Sequence, residues 1–326
     1  MKEVKSTKKS IHPFFLPSYI WLVILLLALV LAPLFLSEFL EVFVTEILIM
    51  GLFALAFNLL FGYTGLLSFG HAAYFALGGY TTGLILIKVT PSIPLAFFIG
   101  VLVATLAAWV IGYLCVRLDE IYFAMLTLAF GMMIHAIIWQ WDSLTGGADG
   151  LVGISRPHLL GFNLSGTTTY YYFTLIIVGI CAAILWIITH SPFGLTLKSI
   201  RENSERVEYL GINMRRYRLI SFVISGLFCG VAGALFAPFE MAIAPEIALW
   251  TKSAEPVFMS LVGGMNIFLA PLAGAGIFMF LKEIISGYTE YWMFPLGVIL
   301  VLLVKFLPGG IIGFLSEKLS AIRESD

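Results

Sequence analysis

Charge is scarce in this sequence. Asp, Glu, Lys and Arg make up 11% of its 326 residues and 60% are hydrophobic, against roughly 25% charged and 45–50% apolar in soluble domains. With a mean hydropathy of +1.02, the chain carries more apolar surface than an aqueous fold can bury, so its solvent is lipid. The three cysteines, Cys115, Cys181 and Cys229, all lie inside apolar runs and form no disulfide framework. The five histidines are scattered, with no pair at ligand spacing, so no metal site is expected. No G-x-x-x-x-G-K-[ST] occurs, which excludes that route to nucleotide phosphates; the glycine-rich 146–153 lacks the Lys-Ser/Thr and reads as a turn. Basic residues are not interleaved with aromatics, so nucleic acid is not an expected partner. No Ser-His-Asp or Cys-His set can be assembled, and few charges fall mid-span, where His71 and His135 are the titratable candidates. Intrinsic catalysis, a resident cofactor and intrinsic ion coupling are therefore not expected.

What is present is a series of apolar runs long enough to span a bilayer, about 20 residues each. They cover 19–36, 43–61, 66–87, 93–116, 121–139, 170–189, 219–239 and 292–307. The run 251–286 is too long for one span; Gly263-Gly264-Met265-Asn266 and Pro271 split it into 252–264 and 267–286, giving about ten membrane elements. The first run is longer than a leader's apolar core and no A-x-A-like site follows it, so it reads as a retained span. Lys2, Lys5, Lys8 and Lys9 place the tail 1–18 in the cytoplasm. Loop 37–46 holds Glu38, Glu41 and Glu46 and no Lys or Arg, and it falls outside. Loop 190–218 carries Lys198, Arg201, Arg206, Arg215, Arg216 and Arg218 and falls inside, with 140–169 outside and the tail 308–326 inside. The spanning domain is then 19–307, with both termini cytoplasmic.

Two of the segments are interrupted by glycine, one in each half: LLSFGHAAYFALGGYTTG at 66–83 and SLVGGMNIFLAPLAGAG at 260–276. Paired interruptions are a sequence pointer to a transport path at a weak two-half repeat; the alternative is close helix packing through small residues. In the first reading, a broken helix at 62–80 sets Ser68, His71 and Tyr74 beside the path, and its half-helix N-terminus offers N–H groups to a substrate carboxylate.

Loop 190–218 contains a helical pattern beginning at Ser199 or earlier. Leu197, Ile200, Val207 and Leu210 share a face; Lys198, Arg201, Glu202, Glu205, Arg206 and Glu208 cover the rest. Glu202 and Arg206 have i,i+4 spacing, and Gly211 reads as a C-terminal cap. Such a helix lies on lipid head groups or enters a groove on a partner, and its mixed charge favours the protein groove.

With these segments in hand, the chain resembles the permease subunits of branched-chain amino acid ABC importers, the Liv-type permeases. Gly62, Gly65, Ser68, Gly70 and His71, TLAF at 127–130, LTGGADGL at 144–151, SPFG and IRENSERVEYLGIN within 191–213, FVISGLFCGVAGALFA at 222–237 and PGGIIG at 308–313 carry the resemblance. It departs at Val207, Asn266 and Ala270. The resemblance implies an all-α polytopic membrane protein of the ABC importer permease fold, in a bacterial or archaeal cytoplasmic membrane. It implies a second homologous permease subunit, two cytoplasmic ATP-binding subunits that carry the hydrolysis, and an external solute-binding protein. The substrate-binding candidates are then Asn58, Ser68, His71, Tyr74 and Thr127, and the surface that couples to the ATPase comprises Ile200, Arg201, Glu202, Glu205, Val207, Leu210 and Gly211. Permeases for urea and amides are closely similar, and a stand-alone secondary transporter is a competing class.

Overall fold

The structure, a computed structural model, describes residues 18–118, 120–156, 158–159, 162–307 and 309–314. The expected tails 1–18 and 308–326 lie almost wholly outside these. The described residues form an all-α bundle. Its helices are α1 (Ser18–Phe35), α2 (Glu38–Asn58), α3 (His71–Lys88), α4 (Ile93–Cys115), α5 (Glu120–Gln140), the short α6 (Asp142–Thr145), α7 (Thr167–His190), α8 (Pro192–Glu202), α9 (Ser204–Tyr209), α10 (Met214–Glu240), α11 (Trp250–Gly263), α12 (Ala270–Tyr288) and α13 (Met293–Phe306). Seven are long and apolar enough to cross a membrane: α2 with its continuation to Thr64, α4, α5, α7, α10, α12 and α13. The other expected elements correspond to α1, α3 and the 14-residue α11.

Helices α2 and α10 form the centre, with 61% and 72% of their apolar windows buried. Around them the usual size rule is inverted. On α4 the inward face is Ala96, Gly100, Ala104 and Ala108, while Phe98, Leu102, Leu106 and Trp109 point out. Lipid is as apolar as leucine, so large side chains gain little by turning inward; helices instead gain by close approach over small residues. The α3–α10 contact is the tightest case. A Cβ on Gly233 would overlap the Phe75 carbonyl and stand 2.7 Å from its carbon, and one on Gly78 would stand 2.8 Å from the Gly230 Cα.

Chain direction alternates, so the connections gather at two ends. At one end, Leu151–Val152 (β1) pairs antiparallel with Ala242–Ile243 (β4), tying the 140–169 connection to the one after α10. His158–Leu159 (β2) and Phe162–Asn163 (β3) form a hairpin within it. Lys88 Nζ donates to the Ser143 and Leu144 carbonyls at 3.0 and 3.1 Å, and His135 Nδ1 to Pro245 O at 3.1 Å, so α3 and α5 end there too. Residues 146–150, expected as a turn, form one: Gly146, Gly147 and Gly150 all have positive φ around a short 3-10 turn. The opposite end holds α8 and α9.

Several boundaries differ from the expected ones. The second span does not stop at 61: α2 runs into a π-helical turn, Leu59–Thr64, closed by Gly65 at φ +78°. The third element is helical only from His71, so 65–70 is the true interruption. In the second half Pro271 is no breaker; it sits in the first turn of α12, where a missing N–H costs nothing. The single helix expected over 199–210 is two, α8 and α9, meeting at Asn203, whose side chain caps α9 by accepting from Arg206 N at 2.9 Å. The expected Glu202–Arg206 ion pair does not form, because this cap breaks the helix between them. Gly211 closes α9: at φ +80° it lets its own N–H reach Glu208 O (2.9 Å) and Ile212 N–H reach Val207 O (3.4 Å), a Schellman cap.

Candidate functional site at the paired helix breaks

The two interruptions meet at the end that holds α8. In the first, the π turn exposes carbonyls that an α-helix would use, and side chains answer them. Thr64 Oγ1 donates to Leu59 O at 3.1 Å and contacts Ser221 Oγ at 2.9 Å. Leu66 N–H reaches back to Leu60 O at 3.2 Å. Past the extended stretch, Gly70 begins the approach to α3, where a Cβ would stand 3.1 Å from the Thr127 carbonyl carbon of α5.

His71 is the centre of a closed network. Ser225 Oγ–H donates to the Ala56 carbonyl at 2.6 Å. Its lone pair is then free for the Nε2–H of His71 at 2.8 Å. In the neutral ring Nδ1 must accept, and Ser68 Oγ–H stands 2.8 Å from it. Ser68 in turn accepts from Gly70 N–H at 3.3 Å. Each donor is used once, which fixes the tautomer as Nε2–H. The ring is packed edge-on by Phe57, Tyr74 and Phe222 at 5.2, 5.7 and 5.5 Å, surroundings that disfavour a charged imidazolium.

The five substrate-binding candidates therefore converge on one place. Asn58, Ser68, His71, Tyr74 and Thr127 all adjoin the first break, and none is more than 1% exposed. They lie inside the chain's own packing rather than on an open wall. The N–H groups expected to await a carboxylate are occupied: Gly70 by Ser68, Ala72 by Ser253 Oγ at 2.8 Å, and Ala73 by Gly70 O at 3.1 Å. Backbone at membrane depth must be satisfied by protein groups where it is packed within the bundle.

Ser221, Ser225 and Ser253 escaped the sequence reading. The first two lie four residues apart on one face of α10, within an otherwise apolar run; hydroxyls at helical spacing were the available signal. A second group was missed. Glu255 on α11 pairs with Lys252 at 2.6 Å and with Lys282 of α12 at 3.8 Å. These charges sit within spans where few were expected, and pairing within α11 and between α11 and α12 lowers their cost. Near them Arg156 donates to Pro238 O at 2.7 Å and Phe239 O at 2.5 Å, capping α10. With Thr45, Glu46, Tyr170 and Glu240 it lines a cleft of about 260 Å³.

The second break spans 264–269. Gly264, at φ +119°, leaves α11, and a Cβ on Gly310 would stand 2.5 Å from its Cα, so residues 309–313 close over this break. Asn58 Nδ2 crosses to Met265 O at 3.2 Å and joins the two breaks. Its Oδ1 is buried with no partner, a cost of about 1–3 kcal/mol held at this junction.

The expected coupling residues divide into two faces. Leu197, Ile200 and Val207 are buried against the chain itself, so most of the expected stripe is already covered. Glu202, Glu205, Glu208, Tyr209, Leu210 and Gly211 are exposed, Tyr209 at 90% and Leu210 at 74%. Arg201 turns towards the breaks: its Nη1 donates to the Gly62 carbonyl in the π turn and to Asn266 Oδ1 at 3.2 Å. Among the described residues no cluster of His, Cys, Asp and Glu could hold a metal ion.

Comparison with known proteins agrees with this architecture. A family model described as "Branched-chain amino acid transport system / permease component" matches residues 39–315. The high-affinity branched-chain amino acid transport system permease protein LivM of Escherichia coli (strain K12) is 27% identical over 316 residues, covering 90% of this chain and 74% of that protein. The probable permease protein LivH of Methanocaldococcus jannaschii is 25% identical, covering 83% of this chain and 90% of its own length. LivH of Escherichia coli (strain K12) is 24% identical, with coverages of 80% and 90%. No solved structure matches. A family match over most of the length, joined to a multi-pass bundle with paired interrupted helices, means that the chain belongs to the branched-chain amino acid ABC transporter permease family, whose members are transport components and not enzymes.

Proposed function

We propose that this chain forms half of the translocation path of an ABC importer for branched-chain or other hydrophobic amino acids. The observation that carries the reading is the meeting of two interrupted helices at one end of the bundle, with α8 packed on the first break, α9 beside it, and an outer face of the pair exposed. A second permease subunit completes the path, two ATP-binding subunits engage the exposed face of α8 and α9, and an external binding protein delivers substrate to the 140–169 end. The basic residues of 190–218 support a cytoplasmic position for that segment and for both termini. The membrane is the cytoplasmic membrane of a bacterium or archaeon. In this reading Asn58, Ser68, His71, Tyr74 and Thr127 act on the substrate by fixing the break's backbone, and the path opens where the two breaks part.

Reconstitution tests this. The chain, its partner permease and ATPase subunits are incorporated into proteoliposomes with the binding protein, and uptake of labelled leucine and of urea is measured with and without ATP. ATP- and binding-protein-dependent leucine uptake is expected. Leucine uptake by the chain alone, driven by an ion gradient, would overturn the reading in favour of a secondary transporter; ATP-dependent uptake of urea alone would overturn the substrate class.

A further inference from the structure

The two breaks lie about 200 residues apart in sequence, yet one guanidinium reaches both. Arg201 stands at the end of α8, and its Nη1 donates to the Gly62 carbonyl of the first break and to Asn266 Oδ1 of the second, 3.2 Å away. Several features make room for this contact. Gly62 O is free because the π turn diverts Leu66 N–H to Leu60 O. Gly65 holds φ +78° and has no Cβ; one placed there would stand 3.0 Å from the Arg201 Cγ, in the space its stem occupies. Lys198, one turn earlier on α8, lies over the Tyr63 ring at 5.0 Å. On the far side, Asn58 Nδ2 ties the base of the π turn to Met265 O, the residue before Asn266. The result is a ring of contacts, Arg201 to Gly62, through the π turn to Asn58, then Met265, Asn266 and back to Arg201.

We propose that Arg201 is a transmission pin. The residue is exposed, but its guanidinium is bonded to the two breaks, and through those bonds it makes both breaks move with α8. This rests on the reading that α8 and α9 face the ATPase. Force on the exposed Glu205, Glu208 and Tyr209 of α9 and on Leu210, which follows it, passes through Asn203 to α8, and one charged side chain divides it between the two breaks. Arginine is suited to the role because one planar head serves two acceptors at fixed angles, which a lysine ammonium on a flexible stem does less well.

The test is the ratio of amino acid imported to ATP hydrolysed in the reconstituted full complex, for the wild type, Arg201→Gln, Arg201→Lys, Asn266→Ala and the double variant. Gly179→Ala on α7, where an added methyl meets nothing within 4 Å and which lies outside the face offered to the ATPase, is the control. Arg201→Gln should lower the ratio roughly tenfold, the equilibrium equivalent of one charge-assisted hydrogen bond, with hydrolysis and co-purification of the subunits retained. Arg201→Lys should fall between. Asn266→Ala should lower the ratio, and the double variant should be no worse than Arg201→Gln. A wild-type ratio in Arg201→Gln overturns the pin, as does a parallel loss of hydrolysis and uptake, which would make Arg201 a docking residue. If Arg201→Gln does not assemble, a wild-type ratio in Arg201→Lys together with Asn266→Ala overturns it. Absence of ATP-dependent uptake in the wild type would instead defeat the importer reading itself, so the two failures are distinct.

Discussion

Removing one hydroxyl tests whether the first break is held by the His71 network. Ser225→Ala takes the acceptor from His71 Nε2–H and the donor from the Ala56 carbonyl, contacts of 2.8 and 2.6 Å. The stranded N–H then faces Phe57, Tyr74 and Phe222, and the residue is 0% exposed, so no solvent replaces the partner. An unmet buried donor costs about 1–3 kcal/mol, and we expect a loss near 2 kcal/mol. A double-mutant cycle separates this from the simple loss of an atom. His71→Phe keeps an aromatic ring in the slot but has no N–H to strand, so Ser225→Ala made in that background should cost at least about 1 kcal/mol less. The assay is thermal denaturation of the detergent-purified protein followed with a thiol-reactive dye, since Cys115, Cys181 and Cys229 are free and buried and report unfolding directly. Costs that add to within about 0.5 kcal/mol would refute the reasoning, because residues that share a hydrogen bond do not behave independently.

Further outcomes follow from the packing. Gly233→Ala forces α3 and α10 apart at Phe75, where the new methyl has backbone against it; an overpacking cost of about 1–3 kcal/mol is expected as a lower Tm, whereas Gly179→Ala, with nothing within 4 Å, should leave Tm unchanged or raised. Ile200→Ala, at 3% exposure, should destabilise the fold by about 2–5 kcal/mol. Leu210→Ala, at 74% exposure, should leave Tm unchanged and weaken co-purification of the ATPase; equal Tm losses for the two would contradict the division of that face. With the native cysteines replaced, an impermeant thiol reagent added to whole cells should label Ala148→Cys and not Glu205→Cys; the reverse pattern would invert the proposed orientation.

Hydropathy located the elements well because it asks only which residues lipid accepts, and ten runs correspond to ten helices in the bundle. It could not find the ends of the breaks. Leu59 to Thr64 reads as a plain span, since a π turn differs from an α turn only in which carbonyl each N–H chooses, and that choice is made by Gly65 and by hydroxyls more than 150 residues away. Ser68, His71 and Tyr74 were legible because a glycine-interrupted span marks the polar residues it carries, whereas Asn58 and Thr127 came only with the family resemblance. Their partners Ser221, Ser225 and Ser253 were not, because a lone serine in a membrane helix is common and only the third dimension pairs it with a histidine.

The amphipathic segment after α7 shows the sharper limit. Of the four residues that periodicity gathered on one side, Leu197, Ile200 and Val207 are buried and Leu210 is exposed, and a stripe says only that something covers it. The expected cover was a partner; the structure supplies the chain's own bundle. Once the stripe is spent internally, the residues left to meet a partner are the charged ones and the exposed Tyr209 and Leu210. The same inversion applies to Arg201. On a wheel it belongs to the solvated face, yet its head reaches past that face to a carbonyl freed by a π turn and to an asparagine in the other half of the chain. A charge bonded to the backbone of one break and to a side chain of the other cannot move without pulling on both, and the coupling proposed between the halves turns on this position, the one most easily read as surface.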